Sequence, residues 1–253
     1  MEKAHELYKI PELYDLYFSY RNLEAEASVI LKTAEELGIR SGTALDLGCG
    51  SSPHGRHMAR SGFTVLGLDL SEEMLAYARK VCSALPMDFL LEDISSFSLP
   101  GSADLAICMN STITYLVDDT ALLGHLRSVS QALRAGGLYL FELLNPLLVV
   151  GKEGEDFFPR HPVWDEAGLS VRVGRSDFDL MKGRVKVEVE IRRQSLRVLH
   201  SSICRVMFPS EIALLARMHG MRHIRTIGDF DLSAASVEKA ATFLYVLQKE
   251  GRG

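Results

Sequence analysis

The run Ala44-Leu45-Asp46-Leu47-Gly48-Cys49-Gly50, followed by Leu66-Gly67-Leu68-Asp69, constrains this chain more than any other feature. An apolar strand that ends in closely spaced glycines turns tightly and lets its backbone approach a bound molecule. An acidic residue at the tip of the next strand, about twenty residues on, can accept hydrogen bonds from both hydroxyls of a ribose. The pair predicts two neighbouring parallel strands with a nucleoside-sized site across their carboxyl ends.

Strand and helix alternate around that pair. Thr43–Leu47, Thr64–Leu68, Met87–Leu91, Asp104–Met109 and Leu138–Leu143 read as short apolar strands. A helix opens over His57–Arg60 and closes at Gly62. Another starts at Ser71, an N-cap whose first turn holds Glu72 and Glu73, and a third spans Thr120–Arg134 and ends at Gly136 and Gly137. Parallel strands need crossover helices, so residues 40–145 predict a doubly wound α/β core. Residues 1–39 precede it as a helical lead-in, with Ile30, Ala34 and Leu37 on one face of a helix over Asn22–Leu37.

Past Pro146 the period changes. Val185, Val187, Val189 and Ile191 alternate with Lys186, Glu188, Glu190 and Arg192, the pattern of a strand with one wet face. Leu169–Val173 and Leu196–Val206 are its expected antiparallel partners. Residues 146–207 are thus expected to be an antiparallel β insertion after the fifth strand, placed at the ligand end as a substrate lid. The same apolar face would serve a homodimer interface equally well. Residues 208–253 complete a mostly parallel seven-stranded sheet, with a helix from the cap Ser210 to Met218 and strands at Met221–Ile227 and Thr242–Gln248.

Composition narrows the partners. A net charge of −5 without a Lys/Arg block lacks the footprint of nucleic-acid binding, so none is expected. The apolar stretch Leu138–Val150 is broken by Glu142, Asn145 and Pro146 and is too short to span a bilayer, so no membrane is expected. Cys49, Cys82, Cys108 and Cys204 form no C-x-x-C pair, which predicts reduced thiols in a cytoplasmic protein and no metal site.

The nucleoside is a separate question. A dinucleotide fingerprint G-x-G-x-x-G would place its third glycine at Pro53, which weakens a nicotinamide reading. In their order, D-L-G-C-G, G-L-D-L-S-E-E-M-L, E-D-I and A-I-C-M-N-S resemble the motifs of the Rossmann-like S-adenosylmethionine-dependent methyltransferases, over residues 40–145. The resemblance implies an enzyme using S-adenosyl-L-methionine to methylate an N, O or C atom of a small-molecule acceptor. It implies that Asp46, Gly48 and Gly50 lie beside the methionine moiety and that Asp69 binds the ribose. Leu70 and Met74 would flank the adenine, Asp93 and Ile94 would meet its edge, and Asn110 would sit near the sulfonium. The chain departs from the family where Ser52 stands at a third glycine and Gly55-Arg56-His57 arrives two residues late.

Tyr14-Asp15-Leu16-Tyr17 with Tyr20 and Arg21 resembles the lead-in of small-molecule members, in which a tyrosine closes over the cofactor and an arginine meets its carboxylate. An amphipathic segment packing its aromatics on the domain would read the same way. For catalysis the candidates are Tyr115, just past the fourth strand, and His54, in the cofactor loop. His57, His125 and His161 are further bases by residue type, with His125 reading as structural. Two rival functions share the nucleoside site: a non-catalytic S-adenosylmethionine-binding regulatory module and a nicotinamide-dependent oxidoreductase. A nucleic-acid amino-methyltransferase would need an N-P-P-Y-like loop where Asn110-Ser111-Thr112-Ile113 stands.

Overall fold

A computed structural model of the chain describes residues 6–150, 162–175, 178–233 and 237–251. After a 3-10 turn at Leu7–Lys9, the lead-in forms α1 (Pro11–Tyr17) and α2 (Leu23–Glu36). Asn22 caps α2 by accepting a hydrogen bond from the Ala25 amide at 3.1 Å. Then β1 (Gly42–Leu47), α3 (Pro53–Arg60), β2 (Phe63–Asp69), α4 (Glu72–Val81), β3 (Met87–Leu91) and β4 (Ala103–Cys108) alternate. A 3-10 turn at Thr112–Tyr115, α5 (Asp119–Ala132) and β5 (Leu133–Leu144) follow. Ser71 caps α4 as its residue type implies, accepting from the Met74 amide at 3.2 Å.

The chain continues through α6 (Pro146–Val150), α7 (Pro162–Glu166), β6 (Leu169–Arg175), β7 (Arg184–Arg193), β8 (Leu196–Arg205), α8 (Pro209–Met218), β9 (Met221–Gly228) and β10 (Thr242–Lys249). The main sheet has seven strands in the order β3-β2-β1-β4-β5-β10-β9, and β10 runs antiparallel to both of its neighbours. The insertion forms a separate three-stranded antiparallel sheet, β6-β7-β8. Period-two burial places one layer of core on each side of the main sheet. Leu45, Leu47, Tyr139 and Tyr245 pack under α5 and α8, whereas Ala44, Val65, Leu140 and Leu244 pack under α2 and α3. No helix among the described residues is long and apolar enough to cross a membrane.

Three local expectations differ from what is observed. The helix expected at His57 starts at Pro53, whose fixed φ suits a first helical position. The helix expected to end at Gly136 and Gly137 stops at Ala132, and both glycines lie inside β5. There Gly136 takes φ +79° and the pairing with β4 slips register between Ala103 and Leu105, so the glycines absorb an irregularity in a strand. Ser210 lies one residue inside α8 rather than at its cap. The cap position is Phe208, in extended conformation, and Pro209 again opens the helix.

Candidate functional site

The strand order reverses between β1 and β4, and the crevice at such a switch is where open α/β sheets bind ligands. At the end of β1, Gly48 and Gly50 take φ of +66° and +54°. A Cβ at Gly48 would overlap the Thr112 methyl, and one at Gly50 would come within 3.1 Å of Met74 Cε and 3.9 Å of Tyr14 Cε1. Only glycine therefore keeps this turn open. Asp69, at the tip of β2, accepts the Gly50 amide at 2.7 Å and the Ser71 amide at 2.9 Å. Burial raises its carboxyl above the usual carboxylate range against the pull of those amides. Next to it Leu70 is 67% exposed, a bare apolar side chain beside the acid, while Met74 is buried beneath the turn.

The late glycine of the loop has a structural reason. Asp46 is buried and accepts the Ser52 hydroxyl at 2.6 Å. A Cβ at Gly55 would overlap Ser52 Oγ and reach within 2.9 Å of Asp46 Oδ2, so the close helix-to-strand approach is made by Gly55 instead of residue 53. Ser52 takes φ +54° to carry the chain into α3. The neighbouring Ser51 hydroxyl donates to Asp15 at 2.5 Å, which ties the loop to α1. Asp46 thus faces the loop and α3.

Across the crevice, Arg21 gathers a buried charge network. Its guanidinium meets Glu26 at 2.8 Å and Glu142 at 2.9 Å, and Nη1 donates to Asn110 Oδ1. Glu142 also accepts the Asn110 amide at 2.9 Å, and Asn110 Nδ2 donates to the Tyr14 hydroxyl at 3.2 Å. Burial disfavours the charge on Arg21, but the two carboxylates more than offset it and raise its pKa. For Glu26 burial is likewise opposed, by hydrogen bonds from His54 and Arg21 that hold it below its usual range. Asn110 and Ser111 both take left-handed φ, +53° and +55°, immediately after β4. Consecutive strained residues of this kind cluster at sites where a ligand is held.

His54 lies behind this network, with Nε2 donating to Glu26 at 2.8 Å. It does not line the adjoining cavity. That cavity, of ≈ 480 Å³, is bounded by Asn110, Tyr14, Tyr115, Glu142, Val187 and His200 among others. The Tyr8 hydroxyl donates to Tyr115 at 3.0 Å. Tyr115 turns 39% of its surface to open space, but its enclosed hydroxyl is pushed up to about 12, first by burial. The face of β7 that bears Val185, Val189 and Ile191 is covered within the chain, where Val189 and Ile191 pack with Leu7, Leu13 and Tyr17. Trp164 stacks on Tyr17 at 5.6 Å between ring centroids and donates its indole N–H to the Tyr17 carbonyl at 2.8 Å. The lead-in and the insertion therefore pack on one another through this apolar face, which is buried within the chain and not left for a second copy.

Just past the end of β3, Asp93 is exposed and accepts the Ser95 amide at 2.7 Å, and Ile94 is buried. His125 holds this loop from below, donating Nδ1–H to the Ile94 carbonyl at 2.8 Å and accepting the Tyr139 hydroxyl on Nε2 at 2.7 Å. Burial lowers its pKa to about 4. An unfolded histidine titrates near 6.5, so the unfolded chain binds this proton first, and stability falls as pH drops from about 6.5 to 4. His125→Gln is expected to remove about 3 kcal/mol of that acid-dependent loss. Urea unfolding of both proteins at pH 7 and pH 4.5 checks it, and equal losses would refute it.

His57 faces a separate groove with Glu24, Leu31 and Arg60, and His161 lies outside the described residues. The sequence reading missed Tyr8, Glu26, Glu142 and His200. For His200 a signal existed, since His200, Ser202 and Cys204 alternate with Ser201 and Ile203 at the strand period. For the two glutamates no local pattern marks a partner so far away in the chain.

Residues 44–137 match the family described as Methyltransferase domain. The chain is 35% identical over 104 residues to a putative methyltransferase, YqeM, of Bacillus subtilis, covering 40% of this chain and 42% of that protein. It is 31% identical over 134 residues to the dTDP-3-amino-3,4,6-trideoxy-alpha-D-glucopyranose N,N-dimethyltransferase of Streptomyces venezuelae, covering 52% and 55%. The chain thus spans about half the length of the curated relatives it matches. Its fold is similar to that of a crystallised S-adenosylmethionine-dependent methyltransferase from Clostridium acetobutylicum, with a TM-score of 0.81 and 17% identity over 95% of this chain and 97% of the other. Residues 44–137 therefore resemble a methyltransferase domain, and the chain has the fold of a Rossmann-like S-adenosylmethionine-dependent methyltransferase.

Proposed function

We propose that the protein is an enzyme that uses S-adenosyl-L-methionine to methylate an N, O or C atom of a small-molecule acceptor by in-line displacement. The observation that carries this reading is the place of Asn110, which lines the ≈ 480 Å³ cavity and donates to the hydroxyl of Tyr14, whose ring stands beside the Gly50 turn at the end of β1. The residues present fit the cofactor: a cradle that a Cβ would fill, a carboxylate at the strand tip, and exposed Leu70 beside it. Asp69 would take the ribose hydroxyls. Leu70 and Met74 would flank the adenine, Asp93 and Ile94 would meet its edge, and Gly48, Gly50, Tyr14 and Arg21 would border the methionine end near Asp46.

When bound, the cofactor supplies a methyl group already activated on a sulfonium. What remains for the chain is to orient the acceptor and exclude water, which can be worth about 7 to 11 kcal/mol of the barrier. Arg21 and Glu142 fix Asn110 in this place, so the methyl end of the crevice is positioned by a rigid buried network. Tyr115 faces the acceptor side, and His54 acts as a positioning residue through Glu26. Residues 146–207 act as the lid. The relative named for amino-sugar N,N-dimethylation supports a small-molecule acceptor.

Calorimetry of the metal-stripped chain with S-adenosylmethionine, S-adenosylhomocysteine and NADH tests the reading. Heat with the first two and none with NADH is the expected result. No heat with either sulfur ligand at millimolar concentration overturns it. Binding without label transfer from methyl-labelled cofactor to any of a panel of phenols, amines and amino sugars would favour the non-catalytic binder.

A further inference from the structure

The inward face of the insertion sheet is chemically divided. Antiparallel register pairs Val189 with His200, Val187 with Ser202 and Val185 with Cys204, and residues paired across strands share a face. A row of valines on β7 therefore runs beside a row of hydrogen-bonding side chains on β8, and all six line the cavity. The outward partners, Leu199 and Ile203, are exposed, so the polar row is turned inward at the expense of two apolar residues left in water. The polar row also meets the rest of the site. The His200 ring lies edge-on to Tyr8 at 5.3 Å between centroids, and Ser202 and Cys204 lie beside the 3-10 turn that carries Thr114 and Tyr115. Opposite them the lead-in contributes aromatic rings, with Tyr8 and Tyr14 centroids 5.5 Å apart.

The arginines and glutamates that also line the chamber are already paired, Arg21 with Glu26 and Glu142 and Arg205 with Asp119, so its aliphatic wall, aromatic rings and polar row on β8 favour an uncharged flat ring compound that carries a hydroxyl or amino group on one edge. Resting on the reading of this site as an acceptor chamber, we propose that it takes an uncharged aromatic compound bearing a hydroxyl. We propose further that the row His200-Ser202-Cys204 recognises that hydroxyl, with His200 accepting its hydrogen bond. The valine row then sets the plane of the ring, and the polar row sets which edge faces Asn110. The division into two rows is what makes the insertion a selective surface rather than only a cover.

The test measures binding of 2-naphthol and of naphthalene by fluorescence to the full chain, with and without S-adenosylhomocysteine, in wild type, His200→Phe, Ser202→Ala and Val187→Glu. Wild type is expected to bind 2-naphthol about tenfold more tightly than naphthalene, as one buried hydrogen bond predicts. His200→Phe should reduce that preference to less than about threefold while its affinity for S-adenosylhomocysteine is unchanged. Ser202→Ala should reduce it by a smaller factor, and Val187→Glu should abolish binding of both ring compounds. Failure of wild type to bind 2-naphthol, equal affinity for the two compounds, or a preference that survives in His200→Phe would each overturn the proposal. Should Val187→Glu not fold, the other two variants still decide. If S-adenosylhomocysteine does not bind but the naphthol preference and its loss in His200→Phe are seen, the acceptor chamber stands and the cofactor reading falls.

Discussion

Arg21→Met is expected to lose about 3 to 5 kcal/mol of stability, the largest effect of any single change considered for this chain. Arg21 lies at 9% side-chain exposure between Glu26 and Glu142, themselves at 12% and 2%. Methionine keeps much of the length and apolar volume of the arginine stem, so the loss comes from two carboxylates left in a poorly solvated site, not from a cavity. His54 still donates to Glu26, whereas Glu142 keeps only the Asn110 amide among its hydrogen bonds in this network, so the damage should centre on Glu142. That makes a second expectation available: Arg21→Met combined with Glu142→Gln should be less damaged than the sum of the two single variants, because the neutral amide removes the stranded charge. Urea unfolding of the four proteins measures both. A single variant within 1 kcal/mol of wild type would mean that the network contributes little and that Arg21 has another task.

Asp69→Ala is expected to weaken S-adenosylmethionine binding by about 2 kcal/mol or more, roughly thirtyfold, because two hydrogen bonds between a carboxylate and the ribose hydroxyls are lost. The carboxylate has a second task. It accepts the Gly50 and Ser71 amides, so it fixes the glycine turn and the start of α4 as well as offering its oxygens to a ligand. Asp69→Asn separates these tasks, since an amide oxygen can still accept one backbone amide while the charge is gone. Asn should therefore restore most of the stability lost in Ala but only part of the affinity. Calorimetry with S-adenosylmethionine, alongside thermal unfolding without it, gives the comparison. An unchanged dissociation constant in a folded Ala variant would place the ribose elsewhere.

The sequence by itself determined the alternating core, because strands buried on both faces and capped amphipathic helices are written in local periods. It also determined the glycine turn and Asp69, since both sit at strand ends whose spacing follows from one crossover. The period-two run at Val185–Ile191 likewise marked one apolar face of the insertion. Its local signals failed by a few residues where tertiary contact outweighed them. Gly136 and Gly137 suit a helix end but serve a slipped strand, and Gly55 replaces the expected third glycine because Ser52 and Asp46 leave no room for a Cβ. Only the tertiary structure decided what each face meets. The valine face turned out to be shared between the cavity and the lead-in, and the histidine row beside it gained meaning from the register of β8 against β7. Arg21 and Glu142 stand 121 residues apart and pair because the lead-in folds back over the end of β5. A charge carries no period that names its partner, so a buried ion network becomes visible only when the chain has brought its members together.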